Sequence, residues 1–320
     1  MNDIHGTDTG KKKMLEFIRS DTKFDFASKM KMAVIGSLVL ILIGVTSIIY
    51  HGGLNLGVDF AGGALIQLKF QKESSVDRIR SALEDAKIEN CFIQQFGSRD
   101  SNEYLIRTAE ASIDLKEFSD RIESALTSIF GQGSYEVRRI ETVGPKIGKD
   151  LTQKAIMALA LAWIAMLIYV GVRFEWRYAV GGILALVHDV LVTVSVLSLL
   201  DMEFTLNTVA ALLTIIGFSI NDTIVIFDRI RENLRKNVKG DLRQIVNVSV
   251  NQTLSRTILT SFTVFLVLVA LLALGGPVIF DFAFTMFVGT IAGVYSTVFI
   301  ASPFVLAMER YFPSRGRRKK

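Results

Sequence analysis

The chain has 320 residues, half of them hydrophobic and only 21% charged, with a mean hydropathy of +0.41. Its apolar residues gather in long runs, which excludes a wholly soluble enzyme. The 24 Gly and 4 Pro exclude collagen-like and Pro-rich linker architectures, and the single Cys91 excludes an intrachain disulfide framework. The net charge of +5 is expected on the cytoplasmic loops of a membrane protein and is not read as a nucleic-acid footprint.

In chain order, residues 1–31 form a basic tail with Lys11, Lys12, Lys13, Arg19, Lys23, Lys29 and Lys31. Met32–Tyr50 carries no charge and is long enough to cross the bilayer. It is too long, and too poorly flanked by small residues, for a cleaved signal, so it reads as a retained anchor. Residues 51–154 read as an exported domain. Ala64–Phe70, Phe92–Phe96, Glu103–Thr108 and Tyr135–Ile140 have the pattern of strands, with a turn at residues 97–100. Ser74–Lys87 and Asp114–Phe130 read as helices. The second is capped near Ser112 or Asp114, with Leu115, Phe118, Ile122, Leu126 and Ile129 on one face. The order βαββαβ is the ferredoxin-like arrangement.

Ala155–Val172, Tyr178–Leu200 and Phe204–Phe227 are the second to fourth spans; Thr257–Gly275 and Phe282–Met308 are the fifth and sixth. Between the fourth and fifth, residues 228–256 form a loop, whose stretch Asp228–Val250 suits an amphipathic helix at the membrane surface or against a partner. Residues 309–320 form a second basic tail, a topology signal with some attraction to membrane lipid. Lys and Arg crowd both tails, the turn after the second span and the 228–256 loop, whereas 201–203 and 276–281 contain none. Both termini are therefore expected in the cytoplasm. The fold class is an α-helical membrane protein of six transmembrane helices, with a ferredoxin-like α+β domain between the first and second.

No Walker A sequence, nucleophile elbow or HExxH is present, and the three His are far apart in sequence. No catalytic residue, metal site or cofactor is expected, and the chain is not expected to be an enzyme. What remains are polar groups inside spans, which are costly in hydrocarbon. Asp222 lies roughly 7–8 Å inside the fourth span, at about 1.5 Å per residue. Asn221 precedes it and Gly217 lies one turn earlier, a small polar patch that another helix can approach. Arg229 lies on the same face, but Arg256, opening the fifth span, is the better partner at matching depth. Two readings stand: a proton carrier whose charge responds to its distance from the Arg, or a static pair fixing helix register. His188-Asp189, near the midplane of the third span, is either a proton relay or a packing pair. Gly289 and Gly293 are explained by close helix packing.

Four stretches carry a resemblance to the SecF family, membrane subunits of the bacterial Sec protein-export machinery. They are Gly57-Val58-Asp59-Phe60-Ala61-Gly62-Gly63, His188-Asp189-Val190, Gly217 through Asn233, and Asn251 through Thr257. The resemblance implies pairing with SecD in a pseudo-twofold assembly related to the resistance-nodulation-division transporters. It also implies association with the SecYEG channel, with YajC and YidC as further partners, and late-stage export of a preprotein driven by the proton-motive force across the inner membrane. By that likeness Asp222 is the proton-carrying acid and Arg256 its basic partner. Gly57, Asp59, Phe60, Gly62 and Gly63 become either a stiff turn passing motion to the exported domain or a tight turn and nothing more. A non-conducting scaffold for SecD and the channel is the alternative.

Overall fold

The computed structural model describes residues 24–85, 88, 91–96, 102–108, 115–236 and 240–312. Helix α1, Phe26–Tyr50, starts where the Asp25 carboxylate accepts the Ser28 amide at 3.0 Å. It ends before Gly52 and Gly53, both at positive φ. A single turn, α2 (Val58–Ala61), leads into β1 (Gly63–Phe70). The outer domain continues through α3 (Val76–Asp85), β2 (Cys91–Phe96), β3 (Glu103–Thr108), α4 (Leu115–Phe130) and β4 (Tyr135–Val143). Its sheet has the order β2-β3-β1-β4 with every pair antiparallel, as the βαββαβ reading requires. At its centre Ile66 lies opposite both Ile106 and Ile140. Ile66, Leu68 and Ile106 pack with Ile79 and Leu83 of α3 and Ile122 and Leu126 of α4 in a core separate from that of the bundle. The turn at 97–100 and the cap near Ser112 or Asp114 lie outside the described residues.

Strand β4 passes through Gly144 directly into α5 (Pro145–Arg173), whose first turn holds Pro145, where a missing amide costs nothing. There follow α6 (Trp176–Leu199), α7 (Leu206–Lys236), α8 (Leu242–Leu274), α9 (Pro277–Ser296) and α10 (Ser302–Tyr311). Among the described residues, six helical runs are long and apolar enough to cross a membrane, the last being α9 and α10 together. Helices α6 and α7 and this last run form the packed centre; α1, α5 and α8 turn most of their apolar surface outward. That distribution suits a lipid solvent, where an exposed Leu or Ile carries no penalty.

One expectation needs correction. The stretch Asp228–Val250, expected as an amphipathic helix at the membrane surface or against a partner, is not a single helix. The stretch is divided between the last turns of α7 and the first turns of α8, with Asp241 capping α8. Its apolar residues Ile230, Leu234, Ile245 and Val246 are buried in the bundle core. The amphipathic pattern is real, but the apolar face is satisfied by a helical hairpin rather than by lipid. The sixth span, read as Phe282–Met308, lies within the run formed by α9 and α10. Residues Thr297–Ala301 widen into a π-turn, because Pro303 has no amide to donate and the Ser302 hydroxyl donates to the Thr297 carbonyl at 2.9 Å.

Candidate functional site

Helix α7 brings three polar side chains within one turn, each aimed at a different neighbour. Ser219 donates to Asp189 Oδ2 of α6 at 2.6 Å. Thr223 shares a 3.1 Å hydrogen bond with Thr297 in the π-turn. Asp222 faces α8, where the Thr260 hydroxyl lies 3.5 Å from Oδ1. Glycines make this approach possible. A Cβ on Gly293 would stand 3.1 Å from the Ser219 side chain, and one on Gly289 would stand 2.0 Å from Ile215. The GxxxG of the sixth span is thus the seam along which α9 meets α7.

His188 and Asp189 are brought together. Asp189 is wholly buried, and its Oδ1 lies 3.2 Å from His188 Nδ1. The imidazole stacks on Tyr295, ring centroids 5.9 Å apart, and its Nε2 is buried without a hydrogen-bond partner. Asp222 is 4% exposed, and its Oδ2 is likewise buried and unpartnered. Arg256 is exposed, one turn before Thr260. It acts on Asp222 through its field but forms no ion pair with it among the described residues. Arg229 does not reach back. It binds Glu232 at 2.6 Å and Gln252 at 2.7 Å, holding α7 to α8 below the acid. Asn221 sits on the neighbouring, open face with Gly217 and Thr214, and a Cβ on Gly217 would meet nothing within 4 Å. A buried acid with one empty acceptor and no neutralising partner in contact is an unstable electrostatic arrangement.

The glycine motif sits at the outer end of the same helix. The Gly57 amide donates to the Phe204 carbonyl at 3.0 Å, and the Phe204 amide donates to Asn55 at 2.7 Å. Asp59 Oδ2 accepts the Leu206 amide at 2.8 Å, which places a carboxylate on the N-terminus of α7. Phe60 packs on Phe204 with centroids 5.9 Å apart. Gly62 has φ +75°, and a Cβ there would stand 3.0 Å from Pro145 Cα, so the motif needs its glycine where α5 begins. The outer domain adds a second tie. Arg107 of β3 pairs with Glu203 at 3.3 Å and donates to the Leu56 carbonyl and Asn55 Oδ1. Burial pushes the Glu203 carboxyl above its ordinary range, with Arg107 opposing. Glu203, Arg107, Ser219, Thr260 and Tyr295 were not anticipated from sequence. The charged ones look like loop and strand surface, and the hydroxyls like ordinary helix residues. The one available signal was Glu203 in a short loop lacking Lys and Arg.

Comparison with known proteins places these features in a family. A model described as "Protein export membrane protein SecD/SecF, C-terminal" matches residues 122–311, and the "SecD/SecF GG Motif" matches residues 48–73. A protein translocase subunit SecF of Calditerrivibrio nitroreducens is 47% identical over 91% of this chain and 96% of its own. The SecF subunit of Rickettsia prowazekii is 39% identical over 96% of both chains. The crystal structure of SecDF from Thermus thermophilus, a translocon-associated membrane protein, superposes with a TM-score of 0.83 at 36% identity. It covers 92% of this chain, which spans 40% of the SecDF chain. SecDF in a super-membrane-facing form gives a TM-score of 0.66 at 35% identity. With a family model over more than half its length and full-length relatives well above 30% identity, the chain belongs to the SecD/SecF family of protein-export membrane proteins.

Proposed function

We propose that the chain works in Sec-dependent protein export as the partner of a SecD subunit, and that it draws on the proton-motive force to promote late steps of preprotein translocation. The Sec role and the SecD pairing rest on relatives named as SecF translocase subunits and on the SecDF chains, of which this chain covers 40%. The open stripe of Thr214, Gly217 and Asn221 on α7 suits close approach of a partner helix beside Asp222. Both described ends of the chain lie at the end of the bundle away from the outer domain: Phe24 is held by Asn247 and Asn251, and Phe312 packs on Trp176. With the positive-inside rule, that end is cytoplasmic and the α+β domain lies outside the inner membrane. Contact with the SecYEG channel follows from the export role.

The observation that carries the proton reading is the buried Asp222 with its unpartnered oxygen. One charge crossing the membrane releases about 2.3 kcal/mol per 100 mV, on the scale that separates two packed arrangements of a domain. Protonation of Asp222 weakens its attraction to Arg256 and resets the α7–α8 contact. Because α7 begins on Asp59, that change is delivered to the glycine motif and the outer domain. The two SecDF structures, which superpose unequally on this chain at nearly the same identity, are compatible with more than one arrangement in such proteins. The test is proton flux in inverted vesicles during translocation, with SecD co-expressed and Asp222→Asn compared at matched abundance. Loss of both flux and late-stage release supports the proposal. Loss of flux alone removes the coupling. If neither changes, the chain is a scaffold for SecD and the channel.

A further inference from the structure

The cations at the cytoplasmic end of the bundle divide into those with partners and those without. Arg177 of α6 is buried and donates to Glu309 of α10 at 2.5 Å, to Glu175 and to the Phe312 carbonyl. On α7, Arg229 and Lys236 share Glu232, each at 2.6 Å. Arg173 at the end of α5, and Arg231 and Arg235 one turn apart on α7, form no ion pair among the described residues. Arg173 and Arg231 converge. The guanidinium carbons of Arg173 and Arg231 lie 5.1 and 5.9 Å from the centre of one ring, that of Phe174. The Tyr178 ring of α6 packs against Phe174, with centroids 6.1 Å apart. The Nε of Arg231 is buried with no acceptor, an unmet donor on a charged group. A topology signal needs only net positive charge on this side. It does not require two guanidinium groups on one aromatic floor with a donor left unmade.

We propose that Arg173 and Arg231 bind the phosphate of an anionic phospholipid headgroup seated over Phe174. The planar fork of arginine matches phosphate oxygens, and basic pockets between helices on the cytoplasmic side suit such headgroups. A lipid is favoured over a soluble phosphate because the site sits where α5 leaves the bilayer. Ile168, Tyr169 and Val172, all outward-facing, continue from Arg173 into the hydrocarbon, and the exposed Trp176 stands at headgroup level. The test is lipid retention by the full chain in detergent, read by native mass spectrometry with added phosphatidylglycerol or phosphatidylcholine. The native chain retains phosphatidylglycerol preferentially. Arg173→Gln weakens that retention about fivefold, and Arg173→Gln with Arg231→Gln roughly thirtyfold, while Arg229→Gln, a partnered cation, leaves it unchanged. Helix content and elution volume establish that each variant is folded; Arg173, being exposed, supplies a reading if the double variant is not. Equal retention of both lipids, unchanged retention in a folded Arg173→Gln variant, or complete displacement by millimolar inorganic phosphate overturns the proposal.

Discussion

Removing the Asp59 carboxylate tests whether the glycine motif is joined to α7 or merely lies near it. In the structure Asp59 Oδ2 accepts the Leu206 amide at 2.8 Å, one of the donors that a helix start leaves open. Loss of an N-cap side chain costs about 1 kcal/mol, and loss of an anion from the positive end of a helix costs a further ~0.3–1 kcal/mol. Asp59→Ala removes both, so local opening of the first turn of α7 rises roughly tenfold, at about 1.4 kcal/mol per factor of ten. Asp59→Asn keeps an acceptor and loses only the charge, for a change of about two- to fivefold. Hydrogen exchange followed by mass spectrometry reads this in peptides covering residues 204–212, with peptides of α6 as the internal reference. The predicted order is native, then Asn, then Ala, with the difference confined to the start of α7 and the adjoining motif. Unchanged exchange in the Ala variant, or a loss spread evenly over all helices, refutes the idea that Asp59 holds this helix end.

Three further outcomes follow from packing and charge. Glu203 is buried and its carboxyl is raised above the ordinary glutamate value of 4.5; the stability it contributes is therefore complete below that value and declines as pH rises through the raised one. Glu203→Gln removes this decline, so thermal midpoints measured from pH 4 to 8 show a flatter profile than the native chain, and identical slopes contradict the assignment. Gly44→Ala places a Cβ 2.1 Å from Ser195 Cβ and 2.6 Å from its Cα, forcing α1 off α6 at a cost of about 1–3 kcal/mol. Gly36→Ala, with nothing within 4 Å, stabilises by about 0.5–1 kcal/mol; unfolding midpoints moving the same way in both variants would defeat the packing argument. Ser219→Ala strips the 2.6 Å donor from Asp189 Oδ2 and costs about 1–3 kcal/mol, seen as a lower denaturant midpoint; an unchanged midpoint means that the Ser219 bond is not needed to hold Asp189.

Much of the architecture was legible because a bilayer imposes strong, local rules. A helix that crosses hydrocarbon must be long, apolar and internally hydrogen-bonded, so the existence of six spans could be read from Met32–Tyr50 onward. The outer domain was readable for a different reason. Alternation in Ala64–Phe70 and the stripe holding Ile122 and Leu126 assign strands and helix, and the βαββαβ order leads to the observed β2-β3-β1-β4 sheet. Asp222 and His188-Asp189 stood out because charge inside a span is rare and expensive.

What sequence could not decide depends on which surfaces meet. The apolar residues of 228–256 have the same pattern whether they lie on a membrane or on one another, and only the packed hairpin of α7 and α8 distinguishes the two. Nothing in the apolar run Phe282–Met308 showed that the helix would widen to a π-turn at Thr297–Ala301. Arg229 was in range of Asp222 by spacing along one helix, and Arg256 by its matching depth on the next. In the fold Arg229 is held by Glu232 and Gln252, and Thr260 takes the nearest place. The Arg107–Glu203 pair and the seat of Asp59 on α7 join residues far apart in the chain, where no local pattern records the contact. Periodicity and solvent preference are properties of a single segment and can be read along it. Pairing between segments is a property of three-dimensional proximity, and it is there that the buried charges of this protein acquire their partners or are left without them.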